Sequence, residues 1–293
     1  HTVYALLGVA AATVANRPGA HELLETMLQE QKDYWIDDYG LVWDQYDEAF
    51  SEPAPVHALG TLIHTIEAYM AAAEATTEPE WLDRAEKMTA FAHKVASKNN
   101  WRIPEYYDEE WQPSLEAGKL CNDGRRYHEG YVTGHSMQLA RFALQVRAGL
   151  RSTGWAVPDY LMELGTELFE RARVDGWRRT DGAPGFSTAV NDEGDPMPGE
   201  DEHQQWVVCE GVCATVAVRR AMLDDGHRID EVEHFEHCYR SFVDYIHDYL
   251  IAQPGRWIRR LGPHNESVQP AKSSRWDVYH AIQAMLAIRV PLW

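Results

Sequence analysis

The sequence predicts an all-α protein in which helix hairpins close into a ring, and three observations support this fold class. A helical period of apolar residues dominates the 293 residues. Similar helices recur about every 72 residues. The first helix of each repeated pair is apolar nearly all round, as an inner ring of helices requires, whereas the second helix is amphipathic.

The apolar period predicts the helices in chain order. We place them near residues 2–15, 19–35, 54–77, 79–98, 131–150, 158–174, 200–223, 229–250 and 275–288. Proline-containing turns open the helices of "NRPGAHELLETML" and "TEPEWLDRAEKM". Short extended segments lie between the helix pairs, in "GLVWDQYDE", "RIPEYYDEEW" and "APGFSTAVNDEGDPM". The last of these predicts a hairpin around Asn191–Gly194.

Histidines on the apolar helices give the length of the repeat. One repeat separates His64 from His135, and about two repeats separate His135 from His280. The member between them falls at Val207, and His1 opens a similar helix nearly one repeat before His64. With five inner and four outer helices, we expect one barrel domain over 1–293 that lacks about three helices at its N-terminus.

The charge of the chain disfavours two classes of partner. With 27 basic and 46 acidic residues, the net charge is −19, which repels nucleic acid and anionic membranes. We therefore expect a small neutral ligand, no nucleic-acid partner and no membrane partner. No apolar stretch is long enough to span a membrane. The sequence sets no oligomeric state.

The four cysteines predict buried free thiols. Cys121, Cys209, Cys213 and Cys238 form no CxxC motif, and two of them lie one helical turn apart on one predicted helix. Because free thiols are typical of a reducing compartment, we expect a cytoplasmic protein.

Each inner histidine carries a polar residue near it on the same helical face. The pairs are His64 with Glu67, His135 with Gln138 and His280 with Gln283, and the fourth helix has Glu210 with His203 two turns before it. Such a group can perform acid–base catalysis, since imidazole titrates near neutrality. It can alternatively bind a metal, although the usual spacings are absent, or consist of core histidines in a duplicated helix.

Aromatic residues near the connecting segments indicate a substrate class. Ring faces beside hydrogen-bonding groups are a common surface for binding sugars, and Tyr131, Trp206 and Trp111 stand at such places. Packing of the same rings into the core is the alternative.

Several stretches together resemble one family. "HTIEAYMAAAEATTEPEWLDRA", "NWRIPEYYDEEWQP", "GHSMQLAR", "QQWVVCEGVCATV" and "DVYHAIQAMLAIRVPL" follow one another in family order. On them, the chain resembles the D-mannose isomerase branch of the N-acylglucosamine 2-epimerase superfamily. The resemblance implies an (α/α)6 barrel and a cofactor-free isomerase that interconverts D-mannose and D-fructose, or D-lyxose and D-xylulose, through a cis-enediol(ate). We expect no metal, because the usual ligand spacings are absent. A sugar 2-epimerase and a catalytically silent sugar-binding barrel are the alternatives.

The resemblance also implies roles for individual residues. His280, His135 and Glu210 match its catalytic positions, and His64 matches a substrate contact. Where the family often has a histidine directly before the tryptophan of the fourth inner helix, this chain has Gln205, so His203 is the second candidate for that role. The predicted catalytic residues are His280, His135, Glu210 and His203, and the predicted substrate-binding residues are His64, Tyr131, Trp206, Gln205, Glu105 and Trp111.

Overall fold

A computed structural model describes residues 2–47, 49–120, 128–180, 183–268 and 278–293. The chain divides into two compact units. The first comprises His1–Val95, Pro104–Tyr127 and Gly149–Val157, and the second comprises Ala96–Ile103, His128–Ala148 and Pro158–Trp293. Helix α6, which is defined below, belongs mainly to the second unit.

Helices and one strand pair make up the first unit. Its elements are α1 (Thr2–Val14), α2 (Ala20–Glu30), β1 (His57–Ala58), α3 (Leu59–Thr76), α4 (Pro79–Ala96), β2 (Tyr106–Tyr107) and the short α5 (Leu115–Gly118). A π-helical turn over Gln31–Trp35 ends α2. Helix α3 is buried along most of its length and packs against α1, so it has the all-round apolar character predicted for an inner helix.

The second unit holds most of the described strands. Its elements are β3 (Tyr131–Val132), α6 (Thr133–Ser152), α7 (Tyr160–Gly176), β4 (Trp177–Thr180), β5 (Ala183–Phe186), β6 (Ala189–Val190), β7 (His203–Gln204), α8 (Gln205–Asp224), α9 (Glu233–Tyr245), β8 (Ile251–Gln253), β9 (Arg256–Trp257), β10 (Arg260–Leu261) and α10 (Val278–Ala287). A 3-10 turn precedes α9, and a π-helical turn follows it.

Burial distinguishes inner helices from outer ones, as predicted. Every residue of α8 from Val207 to Val218 is buried. In α9, by contrast, burial is confined to one stripe formed by Phe235, Cys238, Phe242 and Tyr245. Because α8 packs against both α9 and α10, it is the helix around which the second unit is built.

Three inner helices begin later than predicted, because a short strand precedes each of them. Strand β1 pairs with β2, β3 with β6 and β7 with β10, all antiparallel. The partner strand lies far along the chain in each case. The spacing of apolar residues within a segment does not show pairing with a distant strand. The helices predicted to begin at 54, 131 and 200 therefore begin at 59, 133 and 205.

A tight hairpin follows each of the partner strands β2, β6 and β10. The predicted hairpin at Asn191–Gly194 is confirmed: Gly194 N–H donates to the Asn191 carbonyl at 3.0 Å. Equivalent turns at Asp108–Trp111 and Gly262–Asn265 have the same bond, at 3.0 and 2.9 Å. The fourth residue of each turn is left-handed, with φ of 84° at Gly194, 58° at Trp111 and 62° at Asn265. A non-glycine residue at that angle is uncommon, so the sequence did not mark two of the three turns.

The strand–helix boundaries redefine the repeat. Helices α3, α6 and α8 begin at Leu59, Thr133 and Gln205, and this even spacing agrees with the predicted period. Counted from these starts, His135 and Val207 both occupy the third position. His64, however, occupies the sixth position, which it shares with Gln138 and Glu210. Aligning the repeats by their histidines therefore misplaced the helix of the first unit by about one helical turn.

Some predictions fall outside the described residues, namely those for His1, for Cys121 and for 275–277 at the start of the last helix. The other three cysteines, Cys209, Cys213 and Cys238, are buried free thiols as predicted. Within the described ranges, no helix is both long and apolar enough to cross a membrane.

Candidate active site

A buried ion pair joins the two central helices of the second unit. Glu210, at the sixth position of α8, is fully buried. Arg141 of α6 donates to it from two nitrogens: Nε lies 3.1 Å from Oε2, and Nη2 lies 3.1 and 3.0 Å from the two carboxylate oxygens. This fork fits a carboxylate well and compensates a charge that burial would otherwise penalise.

His280 lies at the edge of this ion pair. It stands on α10, which packs against α8, and its Nε2 is 3.7 Å from Glu210 Oε1. That distance is within ion-pair range but longer than a hydrogen bond. Glu210 is inaccessible, whereas the His280 side chain is 17% exposed, so the imidazole is the part of this cluster that a ligand can reach.

Trp206 brings a second histidine to the same place. Its indole ring centroid is 5.4 Å from that of His135 and 5.6 Å from that of His280, with both pairs tilted by 47°. All three rings are half-buried. The structure therefore brings the predicted residues His135, Trp206, Glu210 and His280 together within the second unit.

The position of Trp206 depends on a glycine in the second position of α6. A Cβ at Gly134 would lie 2.3 Å from Trp206 Cζ3 and 2.4 Å from Cη2, well inside an ordinary carbon contact. The indole thus packs directly on the helix backbone beside His135. Only glycine allows this approach without a shift of the ring or the helix.

His203 lies in β7, where hydrogen bonds fix its ring. Asn265 donates from Nδ2 to the Pro184 carbonyl at 2.8 Å, so its Oδ1 is the acceptor that faces His203 Nδ1 at 2.7 Å. Tyr245 also donates to that oxygen. In the neutral ring the proton therefore sits on Nδ1, and Nε2 keeps its lone pair. Burial lowers the pKa of His203, which favours this neutral form.

The contacts of His203 favour a structural role. Its ring lies against the backbone of Gly185, where a Cβ would come within 2.1 Å of it, and its described partners are Asn265 and Tyr245. Gln205, the other candidate, is the first residue of α8 and is buried, with its N–H donating to the Arg259 carbonyl. Catalytic roles for both residues remain predictions.

Tyr131 lies in β3 of the second unit and is half-buried. Its hydroxyl donates to Asp192 Oδ1 at 2.6 Å, and burial raises the pKa of the phenol. Asp192 belongs to the hairpin whose backbone is held by Arg102, which donates to the Asp192 carbonyl at 2.6 Å and pairs with the buried Asp175 at 2.7 Å. This arrangement places one predicted substrate contact on a fixed hairpin.

Three predicted substrate-binding residues lie in the first unit. His64 pairs with Glu67 at 3.3 Å and packs its ring on Tyr4, with the centroids 4.7 Å apart. Glu105 is buried, and its carbonyl accepts from the N–H of Leu59 at the start of α3. The half-buried His64 side chain is the more accessible of the two predicted residues.

Trp111 is buried in the first unit, and its contacts favour a structural role. Its ring stacks on His57 at 4.0 Å, and its indole N–H donates to Asp37 Oδ2 at 2.6 Å. With both its face and its polar atom occupied, this ring belongs to the core. The contact with substrate remains a prediction.

Arg141 and Asn265 were not identified from the sequence. Arg141 ends the quoted stretch "GHSMQLAR", where its spacing of six from His135 indicates no shared helical face. Asn265 ends the stretch "GPHN", which predicts only a turn. Both residues act on partners far along the chain, which local spacing does not report.

The cluster supplies acid–base groups. Within the described ranges, no group of three or more His, Cys, Asp or Glu side chains could hold a metal ion. Two half-buried imidazoles and a charge-compensated carboxylate can instead take a proton from a bound molecule and return it at another atom. An indole beside them provides an apolar face for a sugar ring.

Comparison with known proteins identifies the family of the chain. A family model described as N-acylglucosamine 2-epimerase (GlcNAc 2-epimerase) matches residues 1–284. The chain belongs to this family. The D-mannose isomerase of Thermobifida fusca is 31% identical over 299 residues, covering 99% of this chain and 68% of that protein. The D-mannose isomerase of Pseudomonas cannabina pv. alisalensis is 30% identical, with the same coverage.

Solved structures of similar proteins show the fold class of this N-acylglucosamine 2-epimerase family member. A crystal structure of a D-mannose isomerase matches with a TM-score of 0.83 at 21% identity, over 98% of this chain and 70% of that one. The cellobiose 2-epimerase of Spirochaeta thermophila DSM 6192 matches with a TM-score of 0.75 at 16% identity, over 98% and 68%. The predicted all-α (α/α)6-barrel class and the enzyme class of sugar isomerases and epimerases are confirmed.

Proposed function

We propose that this protein is an aldose–ketose isomerase that interconverts D-mannose and D-fructose, with D-lyxose and D-xylulose as a second substrate pair. The supporting observation is the placement of His135 and His280 against one indole ring, Trp206, with the carboxylate of Glu210 3.7 Å from His280. The D-mannose isomerases at 30% and 31% identity support the choice of substrate.

The proposed reaction moves two protons and needs no redox partner. His280 takes the proton from C2 of the open-chain aldose, which gives a cis-enediolate, and returns a proton to C1 on the same face. A second imidazole, for which His135 is the described candidate, transfers the hydroxyl proton from O2 to O1. Together, the two proton transfers convert the aldose into its ketose isomer. Glu210, fixed and charge-compensated by Arg141, orients His280 and stabilises positive charge on it.

The net charge of −19 fits a neutral sugar, because it offers no attraction to a phosphorylated substrate. Trp206 supplies the apolar face on which the sugar carbons pack. Tyr131, half-buried beside Asp192, is a candidate for hydroxyl recognition. We propose that neither a cofactor nor a metal takes part, because two imidazoles and a carboxylate are enough to move the two protons.

The experiment compares the wild-type protein with His280→Ala and with a matched control, His247→Ala, whose side chain is 81% exposed. Each protein is incubated with D-mannose in EDTA, and the products are measured by NMR. We expect D-fructose from the wild type and from the control, and a loss of about 10²–10⁴-fold in turnover for His280→Ala with an unchanged circular dichroism spectrum.

The product distinguishes this proposal from a 2-epimerase. Both reactions begin with removal of the C2 proton, but an epimerase returns a proton to C2 from the opposite face and forms D-glucose from D-mannose. Formation of D-glucose without D-fructose would therefore show that the protein is an epimerase and not an isomerase. Wild-type turnover by a correctly folded His280→Ala variant would show that His280 is not the catalytic base.

A further inference from the structure

The carboxylate of Glu210 is shared between two basic side chains. Its Oε1 accepts from Arg141 Nη2 at 3.1 Å and faces His280 Nε2 at 3.7 Å. The side chains of Arg141 and Glu210 are only 8% and 0% exposed. A buried ion pair often adds no stability over apolar packing. What distinguishes this pair from the buried pair of Arg102 with Asp175 is the imidazole of His280 beside its carboxylate.

Arg141 is itself held in place from the C-terminal end of the chain. Its Nη1 donates to Gln145 Oε1 at 3.3 Å, and Gln145 Nε2 donates to the Leu292 carbonyl at 3.3 Å. Arg220 of α8 donates to the Ile288 carbonyl, directly after α10, at 2.6 Å. The same tail that ends the His280 helix therefore bonds to the residue that orients Arg141.

We propose that Arg141 is a positioning residue for the isomerisation: it fixes Glu210 relative to His280 and does not itself contact the substrate. This inference depends on the proposed function for its kinetic consequences. The fork of Arg141 sets the rotation of the carboxylate, and hence the place of the oxygen that faces His280. Its positive charge also compensates the carboxylate, so that His280 experiences only part of the charge of Glu210.

Two substitutions separate charge from geometry. Arg141→Met removes both, so we expect kcat to fall by about 100-fold, as for a misplaced catalytic group, with little change in KM. Arg141→Lys keeps the charge without the fork, so kcat falls in this variant too, and the size of that fall measures what the fork contributes.

The matched control is Arg147→Met on the same helix. Arg147 pairs with Asp225 at 2.6 Å, and the two side chains are 10% and 25% exposed. We expect this variant to lose stability and to keep the wild-type kcat. Wild-type kcat in folded Arg141→Met, or an equal fall of kcat in Arg147→Met, would show that Arg141 has only a structural role.

A second measurement keeps this inference separate from the proposed function. Crystal structures of the wild type, Arg141→Met and Arg141→Lys give the distance from His280 Nε2 to Glu210 Oε1, which is 3.7 Å in the structure described above. We expect the carboxylate of Glu210 to rotate away from this position in Arg141→Met. If the wild type converts no aldose, the proposed function fails, while this distance still decides whether Arg141 fixes Glu210 relative to His280.

Discussion

The contact between Gly134 and Trp206 makes a quantitative prediction for Gly134→Ala. The new Cβ would lie 2.3 Å from the indole ring, so the ring or the helix must retreat by about 1 Å to reach an ordinary carbon contact. Overpacking of this kind costs about 1–3 kcal/mol, whereas alanine in a helix gains only about 0.5–1 kcal/mol over glycine. We expect a net loss of about 1 kcal/mol in the free energy of unfolding. Because Trp206 packs on both histidines, we also expect kcat to fall by about 100-fold.

The assay is urea unfolding together with D-mannose turnover, and Gly8→Ala is the control. Gly8 lies in α1, and a Cβ there would meet nothing within 4 Å. This control should gain about 0.5–1 kcal/mol from helix propensity and keep its activity. A Gly134→Ala variant that gains as much stability as Gly8→Ala, and turns over at the wild-type rate, would refute the close approach of Trp206 to α6.

Other consequences concern charge and titration. Burial lowers the pKa of His203 and of His57, so between pH 7.5 and pH 5 the unfolded chain, with imidazoles near their ordinary pKa of about 6.5, binds protons that the folded chain does not. The Tm of the wild type should therefore fall on acidification, and the Tm of His203→Gln should fall less. An equal fall in both proteins would contradict a lowered pKa of His203 in the folded state. Burial raises the pKa of Cys238 to about 11, so peptide mapping should find it unlabelled by iodoacetamide at pH 7.5 in the native protein and labelled in urea. Arg102→Met leaves Asp175 buried without its main partner, and urea unfolding should show a loss of about 3–5 kcal/mol; a loss below about 1 kcal/mol would contradict this.

Helices were the part of the fold that the sequence predicted best. The predicted helix at 79–98 is Pro79–Ala96, and that at 158–174 is Tyr160–Gly176. Both have an apolar stripe at helical spacing, which depends only on local residues. The strands before α3, α6 and α8 were missed, since each forms by pairing with a segment far away along the chain.

Turn chemistry explains a second difference. Asn191–Gly194 was recognisable because asparagine and glycine favour such a turn. The same turn at Asp108–Trp111 puts a tryptophan in the left-handed region, where tertiary contacts compensate its backbone strain. No local propensity would have predicted that residue there.

At the candidate site, too, the sequence predicted the residues that follow the local pattern and missed a partner on another helix. His135, Glu210 and His280 were found because the repeat placed polar groups on apolar helices, and the structure brings these three together. The partner of Glu210 was missed, because Arg141 reaches it from a different helix. An arginine on a buried helix itself indicates a buried acidic partner, because an unpaired charge there would cost too much free energy.

Exchange of the C2 hydrogen of D-mannose with solvent is the most direct test of the proposed chemistry. The sugar is incubated with each protein in D₂O, and the C2 and C1 protons of aldose and ketose are followed by NMR. We predict that the wild type removes the C2 hydrogen and forms D-fructose, with deuterium at C1 in the turnovers in which the proton on His280 exchanges with D₂O first. Folded His280→Ala should neither form the ketose nor remove the C2 hydrogen above background. Removal of the C2 hydrogen at the wild-type rate by His280→Ala would contradict the assignment of His280 as the base.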